Sequence, residues 1–176
     1  KGIKPDSLHC TLYAKKALKS GLGDQFEVLD SLHKKYWGNR EYAGWSVAYI
    51  LTTHFNWKAY LFVNESSEEF NRCVRNFEKD KSYHVWKQPN IPVKEMFNTY
   101  THHEKIDSLL SDYEFGWGFS YQGWHTWVTR FDTLKECIWS GSPSNTFTEY
   151  SDYDLFRKMK LTDYSDYASH IIVVPN

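Results

Sequence analysis

The chain has 176 residues, of which 41% are hydrophobic and 24% are charged. This length suits one domain with a sizeable core, and this composition excludes an intrinsically disordered, low-complexity or fibrous chain. Lys and Arg number 21 against 22 Asp and Glu, so no overall basic field is available to hold a nucleic acid.

Helices are predicted to fill the first half of the chain. The first covers residues 7–20, with Ser7 as a candidate N-cap and Gly21 as a C-terminal stop. Residues 24–37 predict a second helix, and residues 41–54 predict a third that is apolar over most of its surface and therefore central. Shorter helices are predicted at residues 67–77, 93–100 and 106–113.

Strands are predicted mostly in the second half of the chain. Two early ones are expected at residues 58–63 and 83–86. Alternating apolar residues predict four later strands, at residues 115–120, 124–131, 136–139 and 170–174. Residues 140–148 and the acidic, Tyr-rich residues 149–167 are expected to form surface loops. Early helices followed by late strands predict an α+β fold with a mainly antiparallel sheet.

Neither a linker nor a repeat divides the sequence, so we expect one domain over residues 1–176, acting as a monomer. The longest apolar stretch, residues 43–57, is interrupted by polar residues and is shorter than the ~20 residues of a membrane span. Residues 1–6 lack the apolar region of a signal peptide. The three cysteines are too few for a disulfide framework or a zinc knuckle and permit at most one bridge.

Cys10 lies in the first turn of the first predicted helix, on the same stripe as Tyr13, Ala14 and Ala17. The positive end of a helix dipole favours thiolate over thiol, so a nucleophilic cysteine is well placed there. The backbone N–H of Cys10 would then supply one donor of an oxyanion hole. His125 lies on a predicted strand and could take the thiol proton and later protonate the leaving amine.

Two short segments resemble a known superfamily. Residues 9–14, His-Cys-Thr-Leu-Tyr-Ala, followed by Ala17, Leu18 and Gly21, resemble the nucleophile helix of papain-like amidases of the NlpC and CHAP kinds. Residues 123–128, Gly-Trp-His-Thr-Trp-Val, resemble their histidine strand. The 115 positions between cysteine and histidine (125 − 10) are closer to the amidase effectors that bacteria inject into rivals than to compact NlpC-type domains. The resemblance implies a papain-like layout and cleavage of peptidoglycan amide bonds.

A third catalytic member would orient the imidazole of His125, and the sequence leaves it open. If residues 132–135 form the hairpin turn, Phe131 pairs with Glu136. Glu136 serves if a bulge or a longer loop shortens that register, and Asn145 serves if the chain turns back after Pro143. A bare Cys/His dyad is the remaining alternative.

Aromatic residues make up 18% of the chain, with 8 Trp, 13 Tyr and 11 Phe. Such a content is typical of a core filled with rings, and it is also found in grooves that stack on sugars. Trp117, Tyr121, Trp124 and Trp127 surround His125 in the sequence. These four side chains are candidates either to line a substrate groove or to fill the core.

His102, His103 and Glu104 are adjacent, which invites a metal site. Neighbouring residues on a helix diverge by about 100°, and no second ligand cluster or HExxH motif accompanies them. We therefore expect the exposed start of a helix here, and no metal or organic cofactor.

The sequence thus predicts a cysteine amide hydrolase that uses Cys10 and His125. By resemblance, its substrate is the peptidoglycan stem peptide, reached in the periplasm of a target cell after secretion or injection. For such an antibacterial weapon, a cognate immunity protein that plugs the groove is the expected partner. A cysteine protease or a glutamine deamidase acting on a protein would use the same residues. Two other classes are a non-catalytic glycan-binding module and a ribonuclease that depends on His125 with His102 or His103.

Overall fold

The structure is a computed structural model that describes residues 10–63, 68–83, 89–99, 101–120, 126–130, 135–137, 156–158 and 169–176. These ranges contain five helices: α1 (Cys10–Leu22), α2 (Gln25–Trp37), α3 (Gly44–His54), α4 (Glu68–Asp80) and α5 (His103–Ser111). They also contain nine strands: β1 (Lys58–Val63), β2 (Ser82–Tyr83), β3 (Ile91–Pro92), β4 (Glu95–Asn98), β5 (Phe115–Ser120), β6 (Thr126–Arg130), β7 (Lys135–Cys137), β8 (Phe156–Lys158) and β9 (Ser169–Val174).

Seven of these strands form one mixed sheet in the order β4-β1-β9-β5-β6-β7-β8. β1 and β4 are parallel, whereas every other neighbouring pair in this sheet is antiparallel. β2 and β3 form a separate antiparallel pair. The predicted α+β fold with a mainly antiparallel sheet is confirmed.

The sheet carries apolar side chains on both faces. One face packs against α1, α2 and α3, which we call the helical layer. Its core includes Ala14 and Leu18 from α1 together with Trp117, Phe119 and Val128 from β5 and β6. On the opposite face, α5 covers the other side of β1, β4 and β9, in a smaller core of Tyr60, Phe62, Phe97, Ile106, Leu110, Ile172 and Val174.

Ion pairs fix α1 antiparallel to α2. Lys15 Nζ lies 3.5 Å from the Asp30 carboxylate, and Lys19 Nζ lies 3.8 Å from Glu27. Asp30 also accepts hydrogen bonds from Lys34 and from the Tyr42 hydroxyl, and these contacts lower the pKa of Asp30 to about 2. Tyr42 thereby joins the start of α3 to the contact between the first two helices.

The helical layer approaches the sheet most closely at Gly44, the first residue of α3. A Cβ at this position would overlap the Cβ of Phe119 and lie 2.8 Å from the Thr126 hydroxyl. The buried Trp117 donates a hydrogen bond from Nε1 to the Gly44 carbonyl, at 2.9 Å. Only glycine permits this short distance between α3 and Phe119. The contact removes the Gly44 carbonyl from water, and the Trp117 indole supplies it with a hydrogen bond.

The sequence predictions for α1, α2, α3 and α5 agree with the structure to within a few residues at each end. Ala14 and Ala17 are buried, as the predicted inward stripe of α1 requires. Residues 7–9, where the first helix was expected to begin, lie outside the described residues. In α3, six of its residues are buried, which agrees with its predicted central position.

Two predictions about local structure are wrong. Residues 93–100 were expected to form a helix, but β4 lies there and pairs in parallel with β1, placing Phe97 opposite Phe62. The hydrogen bonds of Lys94 N to Ala59 O and of Thr99 N to Val63 O bracket this pairing, so tertiary contacts outweigh local helix propensity. Part of the expected loop at residues 149–167 is also a strand, because β8 pairs with β7.

Substitution Gly44→Ala tests the close approach of α3. Alanine favours a helix over glycine by up to about 1 kcal/mol, whereas overpacking costs about 1–3 kcal/mol. We therefore expect a net loss of unfolding free energy, measured by urea denaturation. Val28→Ala is the control, because Val28 is 55% exposed and its truncation should change stability by less than about 0.5 kcal/mol. A Gly44→Ala protein as stable as the parent would contradict this packing.

Candidate functional site

The candidate site lies at one end of the sheet, between the amino end of α1 and the beginning of β6. Cys10 is the first described residue of α1, and its side chain lies outside the described residues. The first turn of α1 contains no acidic residue. Within this turn, no carboxylate offsets the helix dipole, which favours an anion at the amino end.

The packing of α1 on the sheet determines where its amino end is directed. At the carboxyl end of α1, a Cβ added to Gly21 would lie 2.9 Å from the ring of Phe115, which begins β5 and pairs with Arg130 at the end of β6. β6 is the strand that α1 contacts most. Gly21 follows Cys10 by 11 positions, which span about 16 Å at 1.5 Å per residue. The amino end of α1 is therefore directed toward the other end of β6, where Thr126 follows His125 in the chain.

His125 itself lies outside the described residues, but the orientation of β6 bears on it. Thr126 and Val128 are buried, and Val128 belongs to the core under the helical layer, while the Thr126 hydroxyl faces Gly44. Strand alternation in the sequence predicts one shared face for His125, Trp127 and Thr129. Side chains alternate along a strand, so the even-numbered positions are the ones that face the helical layer. An imidazole at 125 reaches this side only if the alternation is interrupted before Thr126, as at a β-bulge.

The register of β6 and β7 differs from the predicted one. Thr129 pairs with Glu136 and Arg130 pairs with Lys135, so the expected pairing of Phe131 with Glu136 is wrong. The observed pairing moves Glu136 two positions nearer to the start of β6 than the predicted one. Glu136 is still three residues, or about 10 Å, along the strand from the level of Thr126. This register does not bring Glu136 to the beginning of β6. Asn145 lies outside the described residues.

Of the four aromatic residues proposed around His125, the structure describes one side chain. Trp117 is completely buried in the core and is hydrogen-bonded to Gly44, so its placement in a substrate groove is wrong and its core role is confirmed. Trp127 belongs to β6, but its side chain is not described. Tyr121 and Trp124 lie outside the described residues.

His102 and Glu104 lie at the start of α5, as the sequence predicted. The Nδ1 atom of His102 accepts a hydrogen bond from the Asn98 N–H at 3.0 Å, so a neutral His102 carries its proton on Nε2. Among the described residues, no group of three or more His, Cys, Asp or Glu side chains is arranged to hold a metal ion. His102 is therefore part of the turn that joins β4 to α5.

His33 and Ser46 form a buried pair that joins α2 to α3. His33 Nε2 lies 3.0 Å from Ser46 Oγ, which donates its own proton to the Ala43 carbonyl at 2.9 Å. With the hydroxyl proton on the Ala43 carbonyl, the imidazole donates from Nε2 to Ser46 Oγ; in the other tautomer, Nε2 accepts from the hydroxyl. Both side chains are about 1% exposed, and burial lowers the pKa of His33. This pair stabilises the helical layer by joining α2 to α3 in its interior.

A group of aromatic side chains that the sequence analysis did not single out lies on the outer side of the helical layer. It consists of Tyr36 and Trp37 at the end of α2 with Trp45, Tyr49 and His54 on α3, and we call it the α2–α3 aromatic surface. The signal in the sequence was the spacing of Trp45 and Tyr49, four residues apart on a helix without charged side chains other than a terminal histidine.

Comparisons with protein-family models, with curated proteins and with solved structures found no match for this chain. Within the described ranges, the helices are all too short or too polar to cross a membrane.

His170 is buried on β9, stacked on Phe62 with the ring centres 5.1 Å apart, and burial lowers the pKa of His170 to about 3. In the unfolded chain this pKa is near 6.5, so between these values the unfolded state binds one more proton. The stability that His170 contributes is present above about pH 6.5. It is lost as the pH falls, at about 1.4 kcal/mol per pH unit.

We expect the free energy of unfolding, measured by urea denaturation, to fall with this slope between pH 7 and pH 4. His170→Phe should reduce the slope by about 1.4 kcal/mol per pH unit, the contribution of one proton. Phenylalanine retains a ring against Phe62 but cannot titrate. Equal slopes for the two proteins would contradict the buried, neutral state of His170.

Proposed function

We propose that this chain is a cysteine-dependent amide hydrolase with a papain-like arrangement, in which Cys10 is the nucleophile and His125 is the general base. One observation carries the proposal: α1, which contains Cys10 in its first described turn, packs on β6, the strand that follows His125. The contact of Gly21 with Phe115 supports it further, because it directs the first turn of α1 toward the Thr126 end of β6.

In the proposed reaction, His125 removes the proton from the Cys10 thiol, and the thiolate attacks the carbonyl carbon of the substrate amide. A tetrahedral oxyanion forms, for which the N–H of Cys10 is one donor. The C–N bond then breaks, and His125 returns its proton to the leaving amine. Water, deprotonated by His125, attacks the resulting thioester, which releases the carboxylic acid and regenerates the thiol.

The proposal includes one structural requirement. Because Thr126 and Val128 face the helical layer, the chain must leave regular strand alternation between Thr126 and His125 for the imidazole to meet Cys10. The third member of the site stays open between Glu136, Asn145 and none. Among the described strands, Glu136 pairs with Thr129, so its participation would require a bridging group or water between it and His125.

The substrate proposed is the stem peptide of peptidoglycan, with action in the periplasm of a target cell and a cognate immunity protein as the inhibitor. This choice is supported by the resemblance of residues 9–14 and 123–128 to papain-like amidases of the NlpC and CHAP kinds, and by the Cys10–His125 separation of 115 positions (125 − 10), which is closer to that of injected amidase effectors. A protease or a glutamine deamidase would share Cys10 and His125 and differ only in the amide that the groove admits.

We expect Cys10→Ala to abolish release of peptides from purified peptidoglycan, with a loss of more than about 1000-fold, because the thiolate is the attacking atom. His125→Ala should reduce the rate by about 100-fold to 10,000-fold, since a general base contributes that much. Product release is measured by liquid chromatography with mass detection of the muropeptides.

Cys73→Ala is the matched control, because Cys73 lies in α4 and has no place in the proposed site. It should retain parental activity, and circular dichroism should show that all three variants are folded. Full release of peptides by Cys10→Ala would exclude Cys10 as the nucleophile. Cleavage of RNA that persists in Cys10→Ala, without release of peptides by the parent, would instead support the ribonuclease alternative, which does not use the thiol.

The pH dependence of alkylation tests the activation of Cys10 independently of any substrate. A thiol at the amino end of a helix and beside an imidazole has its pKa lowered below the usual value of about 8.5. Iodoacetamide at pH 6 should therefore label Cys10 at least about tenfold faster than Cys73 or Cys137, and His125→Ala should slow the labelling. Peptide mapping by mass spectrometry measures each site, and equal, slow labelling of the three cysteines would count against an activated nucleophile.

A further inference from the structure

The α2–α3 aromatic surface holds its rings in fixed relative positions. The ring centres of Trp37 and Trp45 are 5.3 Å apart at 88°, and those of Trp37 and Tyr49 are 6.1 Å apart at 79°. Tyr36 meets Tyr49 at 6.0 Å and 82°. Edge-to-face contacts of this kind are the preferred geometry of aromatic pairs, so the rings hold one another in place before any ligand arrives.

These rings remain accessible at the surface. Tyr36 is 42% exposed, His54 is exposed, and Trp37, Trp45 and Tyr49 are each partly buried against the core. The Tyr36 hydroxyl lies 2.7 Å from His54 Nε2, so a polar pair capable of hydrogen bonding borders the rings. The surface therefore combines flat apolar rings with a hydroxyl and an imidazole at its edge.

The charge of this surface restricts its ligand. A helix that covers a core normally carries charged residues on its outer side. α3 has the sequence GWSVAYILTTH, which contains no Asp, Glu, Lys or Arg, and its outer stripe is formed by Trp45, Tyr49 and Thr53. A nucleic acid would require cations there to neutralise its phosphates. At the end of α2, Lys34 is paired with Asp30 and Lys35 precedes Tyr36, so the α3 part of the surface is the part without charge. A neutral ligand matches that part.

The size of the surface favours a small polymer over a protein as its ligand. A stable protein interface uses about 20–30 residues on each side. The α2–α3 aromatic surface has five, and among the described residues Val28 and Tyr36 are the only exposed large hydrophobic side chains. The apolar faces of sugar rings stack on Trp and Tyr over an area of this scale, while sugar hydroxyls bond to polar groups at the edge.

We propose that the α2–α3 aromatic surface binds a neutral glycan chain, with Trp45 and Tyr36 as stacking platforms and the hydrogen-bonded pair of Tyr36 and His54 at the edge. This binding does not depend on Cys10. Its identification with the glycan backbone of peptidoglycan rests on the proposed function, and in that case the surface anchors the enzyme on its polymeric substrate.

The test uses the full chain carrying Cys10→Ala and chitotetraose, a soluble neutral oligomer of N-acetylglucosamine. Isothermal titration calorimetry should show saturable binding to this protein. Adding Trp45→Ala should weaken binding at least about tenfold, whereas adding Val28→Ala, an exposed change on the same helical layer, should leave it unchanged. Trp45→Phe and Tyr36→Phe retain rings in the packing and should weaken binding less, which gives a readout even if Trp45→Ala fails to fold.

Three results would overturn the proposal: no saturable binding of chitotetraose, equal binding by the parent and all ring variants, or heparin binding at least as tightly as the neutral oligomer. Self-association of the protein that Trp45→Phe abolishes would instead assign the surface to a second copy of the chain. Because binding is measured without the thiol, failure here is distinct from failure of the amidase.

Discussion

The close approach of α3 to the β5–β6 hairpin at Gly44 is the constraint on which the rest of the structure depends. The glycine lets the start of α3 contact Phe119 and Thr126 directly, and the Trp117 indole completes the contact by binding the Gly44 carbonyl. This contact anchors the helical layer on β5 and β6. The buried side chains of Ala14, Ala17 and Leu18 pack α1 beside that anchor, over β6, and ion pairs join α1 to α2 at the surface.

The same contact separates two groups of aromatic residues with different roles. Trp117 and Phe119 point into the sheet–helix interface and are completely buried, so they stabilise the fold. Trp45 follows Gly44 directly, and the helix turns it outward to join Trp37 at the surface. The aromatic residues therefore form both a ring-filled core and a group of partly exposed rings, on opposite sides of one helix.

Local pattern was enough to predict most helices and the α+β class, since amphipathic stripes such as that of Ala14 and Ala17 depend on residues a few positions apart. It failed at β4. This segment has the residue spacing of a helix, but it pairs with the edge of β1 as a strand, and Phe97 stacks on Phe62. The register of Glu136 also escaped prediction. Arg130 pairs with Lys135, which leaves the predicted number of residues between the paired positions but one position earlier in the chain, and local pattern does not determine that position. For the site, the sequence supplied Cys10 and His125, while the orientation of β6 depends on long-range packing at Thr126.

The most direct measurement of the central claim is the capture of the covalent intermediate. A short incubation with a stem-peptide substrate, quenched in acid and digested, should give a peptide containing Cys10 whose mass is increased by the acyl part of the substrate, and hydroxylamine should remove this addition. The modification should be absent in Cys10→Ala. Turnover of the substrate with no acyl group on Cys10, or with the acyl group on another residue, would contradict the account.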